Sequence, residues 1–177
     1  MRKIVLTFGI VAGAIVATVM LISMYLVEAG KMEASLLLGY ASMVLALSVI
    51  FPAIKSYRDK EQGGAITFGK ALLIGLIISA IASCIYAIGW EIFISSSGMS
   101  AVDLTNKMYE GQVTAMKEAG ATAEELAQYQ IGDWYNTFIL RYLFTAFGEM
   151  FPVGLIISLI CAAILRKKSV LPTTTAV

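Results

Sequence analysis

Four long apolar runs, roughly Ile4–Val27, Leu36–Ile54, Ala71–Ile94 and Phe138–Leu165, divide this chain. Each can cross a hydrocarbon core about 30 Å thick, which takes about 20 helical residues. Lipid offers no water to a peptide group, so a segment of this kind closes its own hydrogen bonds as a helix. The expected fold is all-α, an integral membrane four-helix bundle in one transmembrane domain. Its spans fall at about residues 4–27, 36–54, 66–94 and 138–165, and an outer loop covers residues 95–137.

Composition agrees with that solvent. Hydrophobic residues make up 59% of the chain and charged ones 14%, against about 45–50% and about 25% in soluble domains. Mean hydropathy is +0.82. A net charge of +1 lacks the basic excess that nucleic acid requires. There is no His, which removes the commonest metal ligand and the usual base near neutral pH. Cys84 and Cys161 sit in apolar runs at different depths and in no C-x-x-C spacing, so they read as small buried hydrophobes. No Ser/His or Cys/His dyad, paired intramembrane aspartates, metal-ligand spacing or phosphate loop is present. The expectation is no enzymatic activity, no catalytic residue, no metal and no cofactor.

The basic residues alternate along the chain. Arg2 and Lys3 precede the first run, Lys31 follows it, and Lys55, Arg58, Lys60 and Lys70 lie between the second and third. Lys107 and Lys117 precede the fourth run, and Arg166, Lys167 and Lys168 follow it. Nine stand on one side and three on the other, with Arg141 inside the fourth run. The positive-inside rule then puts both termini and the middle loop in the cytoplasm. The first apolar run, about 24 residues, exceeds the h-region of a signal peptide, about 7–15 residues, and reads as a retained span.

Small residues recur at four-residue spacing: Gly9, Gly13 and Ala17 in the first run; Ala71, Gly75, Ser79, Ser83 and Ala87 in the third; Gly154, Ser158 and Ala162 in the fourth. Such stripes let helices approach closely, inside one bundle or across a homodimer. The second loop, Lys55–Gly64, reads as short and polar, with Thr67 capping a third helix that starts near Phe68. Pro52 falls where the second helix is expected to end. In the outer loop, Ser95–Gly98 reads as a turn, Ala101–Glu118 as a helix stopped by Gly120, and Thr122–Glu125 as a capping box opening a second short helix. Both short helices are expected at the membrane surface. Trp90, Trp134 and Tyr135 flank the loop as interfacial aromatics do.

Ionisable residues at depth cost about 2.5–3.5 kcal/mol each on insertion scales and are functional candidates by default. Glu149 lies near the middle of the fourth run, and Pro152 withholds an N–H from the carbonyl of Gly148 beside it. One reading is a carboxylic acid hydrogen-bonded across the bundle to Ser83, Tyr86, Ser79, Ser42 or Ser48. The other is a proton or cation site of the kind found in carriers. Glu91 and Arg141 fall at similar depth near the outer face and suit an ion pair. Lys70 lies about one turn inside the third helix, within reach of cytoplasmic headgroups.

The stretches Leu38–Ser48, Ile54–Lys60 (Ile-Lys-Ser-Tyr-Arg-Asp-Lys), Gly64–Ala71 (Gly-Ala-Ile-Thr-Phe-Gly-Lys-Ala), Ile85–Trp90 and Glu149–Leu159 resemble an uncharacterised bacterial membrane family, domain of unknown function four-one-nine-nine. The resemblance covers almost the whole chain. It implies a four-helix, multi-pass protein of the bacterial inner membrane with a long outer loop, and it brings no activity or cofactor. Lys55, Tyr57, Arg58, Asp59, Lys70 and Glu149 fall on its pattern.

Two functions are compatible with these residues. One is a non-enzymatic accessory or interaction subunit that uses Lys55, Tyr57, Arg58, Asp59 and Lys60 as a cytoplasmic contact loop. The other is a small oligomeric carrier or channel with Glu149 as its coupling carboxyl. Expected partners are membrane lipid, further copies of the chain or other membrane proteins, and no nucleic acid.

Overall fold

In a computed structural model the described residues are 1–32, 35–127 and 131–166. Lys167 and Lys168 lie outside them. Every described element is helical: α1 Arg2–Glu28, α2 Leu36–Leu47, α3 Ile50–Glu61, α4 Phe68–Ser97, α5 Ala101–Glu118, α6 Ala123–Ala127, a 3-10 turn Asp133–Asn136, α7 Phe138–Leu143, a π-helical segment Phe144–Met150 and α8 Phe151–Leu165. Four helical units, Arg2–Glu28, Leu36–Glu61, Phe68–Ser97 and Phe138–Leu165, are long and apolar enough to cross a membrane.

Helix α4 is the centre of the bundle. It packs on α1 along most of its length, on α8 and the π segment, and on α3. Small residues make these approaches possible. A methyl group added at Gly9 or Gly13 would collide with the side chains of Ile81 and Ile85, and one added at Gly75 would lie 2.5 Å from Ser158 Oγ. A methyl at Gly154 would collide with Ser79. Ser79 Oγ donates to the Gly75 carbonyl at 2.9 Å, and Ser158 Oγ to the Gly154 carbonyl at 2.6 Å. Each serine thus satisfies its hydroxyl within its own helix and packs on the glycine opposite. The small-residue stripes face inward, within one chain.

The second span continues seven residues past the expected end at Ile54. Pro52 offers no N–H to the Ser48 carbonyl, so Phe51 N–H takes that carbonyl at 3.1 Å and a tight turn at Ser48 and Val49 separates α2 from α3. Pro52 then occupies the first turn of α3, where its missing donor is tolerated. Lys55, Tyr57, Arg58, Asp59 and Lys60 are therefore helical, and the expected loop shrinks to the residues after Glu61. The first half of this span is loosely held: Leu37 is 81% exposed and Leu45 71%, as suits side chains that meet lipid.

Thr67 accepts the Lys70 N–H and caps α4. At the other end the expected turn at Ser95–Gly98 is helix up to Ser97. Ser95, Ser96 and Ser97 donate their hydroxyls to the carbonyls of Glu91, Phe93 and Ile94, which keeps the last turn wound. Gly98, with φ 68°, ends it. Beyond it α5 runs over Ala101–Glu118 and is stopped before Gly120, with φ 84°. Thr122 and Glu125 form the reciprocal capping box of α6. The Thr122 backbone N–H and then its hydroxyl hold the Glu125 carboxyl below its usual value. Only Ala101, Leu104 and Thr105 of α5 are buried.

Overpacking a tight contact costs about 1–3 kcal/mol. Gly75→Ala is expected to destabilise the chain by that amount in detergent. Gly39→Ala, where an added methyl meets nothing within 4 Å, is expected to be neutral or slightly stabilising, since Gly is the poorer helix former. Thermal unfolding followed by circular dichroism reads both.

Candidate functional site

Proline breaks the last span in a different way from the second. Pro152 supplies no N–H to the Gly148 carbonyl, and the helix widens ahead of it: Phe151 N–H reaches back five residues to the Ala146 carbonyl. The widening has a geometric consequence. The residues buried in this span include Arg141, Thr145, Ala146, Met150, Gly154 and Ser158; from Arg141 through Thr145, Met150 and Gly154 to Ser158 the steps are four, five, four and four, with Ala146 beside Thr145. An unbroken α-helix holds one face with steps of three and four. The extra residue in the π turn lets Arg141 and Thr145 face α4 together with Gly154 and Ser158. Such insertions are frequent at functional sites.

Glu149 lies in this widened turn, four residues after Thr145, at the edge of the buried row. It is half-buried. The register set by Gly75 against Ser158 and Ser79 against Gly154, continued one turn further, brings Met150 level with Ser83 and leaves Glu149 beside it. The five serine and tyrosine partners considered from the sequence do not bond it. Ser79 is engaged with Gly75, Ser42 donates to the Gly39 carbonyl and Ser48 to the Leu45 carbonyl. Ser83 Oγ is fully buried with no hydrogen-bond partner, and the Tyr86 phenol lies within electrostatic reach of Glu149 without a hydrogen bond to it. Among the described residues the Glu149 carboxyl has no hydrogen bond at all. Thr145 Oγ1, also buried, meets no partner at hydrogen-bonding geometry, although it sits beside the Tyr135 hydroxyl.

The other intramembrane pair is fully satisfied. Arg141 Nε donates to Glu91 Oε1 at 2.8 Å and Nη2 to Oε2 at 2.6 Å, while Nη1 donates to the Tyr135 carbonyl at 2.8 Å. Both side chains are largely buried, at 8% and 15% exposure. Tyr135 itself is buried, lies 5.9 Å from the guanidinium and accepts the Trp90 indole N–H at 2.9 Å. Burial, and after it the negative charge of Glu149, push the Tyr135 phenol up to about 12. This fork ties α4, the 3-10 turn and α7 together. The interfacial aromatics split in role: Trp90 and Tyr135 are bundle core, and Trp134 remains exposed.

At the basic end, Tyr57 is buried and Arg58 is only 1% exposed, so neither offers the contact surface expected of it. Arg58 pairs with Asp59 at 2.7 Å, as does Lys55 across one helical turn. Lys70 Nζ donates to Gln62 Oε1 at 3.1 Å and lies 5.7 Å from the centre of the Tyr57 ring. Lys60 is exposed. Among the described residues no group of three or more His, Cys, Asp or Glu is arranged to hold a metal ion.

The chain matches the family described as a protein of unknown function (DUF4199) over residues 7–167. It belongs to that family. The matched stretch takes in most of the first span, the other three spans, the π turn and Glu149. No curated protein and no solved structure matches the chain.

The π turn left no direct mark on the hydrophobic pattern, because the run is apolar on all sides. Its signal was indirect: Arg141 and Thr145 share a face with Gly154 and Ser158 only if one residue is inserted between them. Removing one partner of a buried ion pair costs about 3–5 kcal/mol, whereas replacing both with apolar residues can be neutral. Arg141→Leu is expected to lose stability in that range. The double variant Glu91→Leu with Arg141→Leu is expected to recover most of it, short of the lost bond to the Tyr135 carbonyl, when thermal unfolding of the three proteins is compared.

Proposed function

We propose that this is a non-enzymatic, multi-pass protein of the bacterial inner membrane that works as a small oligomeric carrier or channel. Glu149 is the group that takes up a proton or a small cation. The observation that carries this reading is a carboxyl in a π turn, at mid-span, with no hydrogen-bond partner and with the unpartnered hydroxyl of Ser83 on the adjoining buried face. A polar group left unpaired in an apolar interior is costly. Oxygen donors held in that condition suit a ligand that arrives from outside the fold, whether a proton or a hard cation. In this proposal the basic end of the bundle, with both termini, faces the cytoplasm, following the nine-to-three distribution of Lys and Arg.

Four spans with a packed centre leave no passage through one chain, so the proposal requires more than one copy. The small-residue stripes are used up inside the bundle, and an assembly would form through the lipid-facing side chains instead. The competing reading, an accessory subunit docking through the basic end, has lost two of its five contact residues to burial. It keeps Lys60, Lys55 and Asp59.

The test is flux across vesicles containing the reconstituted chain. A pH gradient, or a gradient of sodium or potassium ion, is expected to decay faster with the protein than without it. Glu149→Gln is expected to return the rate to that of empty vesicles while its helical content stays unchanged. Flux that survives the substitution removes Glu149 from the mechanism. A strictly monomeric mass in mild detergent, together with no flux, leaves the accessory reading.

A further inference from the structure

A second site lies at the loop end of the bundle, away from Glu149. The ends of α1 and α2 and the underside of α5 enclose a groove of about 660 Å³, within the range of ligand pockets, about 300–1,000 Å³. Its floor is apolar, made by Met24, Leu37 and Phe93, and its roof is the face of α5 that carries Leu104, Met108 and Ala115. Leu104 is buried in the protein, Met108 is partly buried against the core, and Ala115 is exposed over the groove. Leu37, largely exposed, also belongs to the outer surface of α2, so the floor continues into the lipid-facing side of the bundle.

The rim carries one group of each sign. Glu28 and Lys107 are both exposed, and neither forms an ion pair among the described residues. Between them in chemistry stands Gln112, whose Oε1 is buried without a donor. A buried amide oxygen in that state is an acceptor awaiting a hydrogen-bond donor.

We propose that this groove holds one zwitterionic phospholipid, with an acyl chain on the Met24–Leu37–Phe93 floor, its phosphate at Lys107 and its ammonium at Glu28 and Gln112 Oε1. The charge pattern selects the occupant. A fatty acid or an anionic lipid would satisfy Lys107 and meet repulsion at Glu28, and a purely apolar segment would leave all three polar groups unpaired. The opening toward the lipid-facing surface of α2 lets the ligand enter sideways from the bilayer. This inference does not rest on the Glu149 proposal.

The full-length chain is reconstituted in vesicles of equal phosphatidylethanolamine and phosphatidylglycerol content, extracted in mild detergent, and its retained lipid identified by native mass spectrometry. The expected result is one phosphatidylethanolamine per chain, enriched at least about threefold over phosphatidylglycerol, a modest difference in affinity. Gly111→Leu places a side chain on the roof where an added methyl meets nothing within 4 Å, and Ala115→Trp fills the same space. Both are expected to lose the retained lipid. Glu28→Gln removes the exposed rim carboxylate that separates the two headgroups, while Lys107 still meets the phosphate common to both, and it is expected to abolish the headgroup preference. Retention of both lipids in bulk proportion overturns the proposal. So does a retained protein in place of lipid, or lipid that persists in the filled variants. If either filled variant fails to fold, unchanged headgroup preference in Glu28→Gln is enough to overturn it.

Discussion

The interlock of Gly75 with Ser158 and of Gly154 with Ser79 sets everything above it. In lipid there is no hydrophobic force to drive helix against helix, so close van der Waals packing and internal hydrogen bonds must hold the bundle. Two glycines and two serines answer both needs at one place. The glycines admit the facing helix, and each serine returns its hydroxyl to its own backbone, so the contact buries no unsatisfied group. With α4 and α8 locked in register there, the rest of the last span has one residue too many to keep Arg141 on Glu91. The π turn absorbs that residue, and Pro152 is the place where the ladder can yield.

The two intramembrane carboxyls show how differently this scaffold treats charge. Glu91 meets a guanidinium on both oxygens, and the remaining arm of Arg141 meets a carbonyl. Nothing in that cluster is left over, and its product is rigidity between α4, the 3-10 turn and α7. Glu149, about two helical turns further along the same span, has no such answer, and neither does the hydroxyl of Ser83 on the face beside it. A bundle that satisfies its structural serines so economically at Ser79 and Ser158 gains no stability from leaving these groups open. Their openness is the physical basis for placing the functional site at the π turn rather than at the ion pair or the basic end.

Much of this architecture was legible in the sequence because membrane spans are written in long apolar runs and caps in short polar ones. Thr67, Gly120 and the Thr122–Glu125 box mark ends that the structure shares, whereas the serines read as a turn before Gly98 are helical. The inward direction of the small-residue stripes was open, since four-residue spacing describes a packing face without naming its partner. Two Phe-Pro pairs behaved unlike one another. Pro52 begins a new helical segment and leaves Tyr57 and Arg58 buried on α3, where the polar composition of Lys55–Gly64 suggested a loop. Pro152 opens a π turn instead. What separates them is the tertiary register each helix must meet, and no local pattern carries that information. Glu149 stood out by its depth alone, while its lack of a partner depended on where Ser79, Ser42 and Ser48 send their hydroxyls.

The central claim is that Glu149 changes its protonation or its ligand while the bundle stays folded. Infrared difference spectroscopy of the reconstituted protein addresses that claim directly through the carboxyl bands. The account predicts a band that responds to pH or to addition of a small cation and that is missing from Glu149→Gln. A spectrum that is unresponsive, or identical in the protein and the variant, would contradict it.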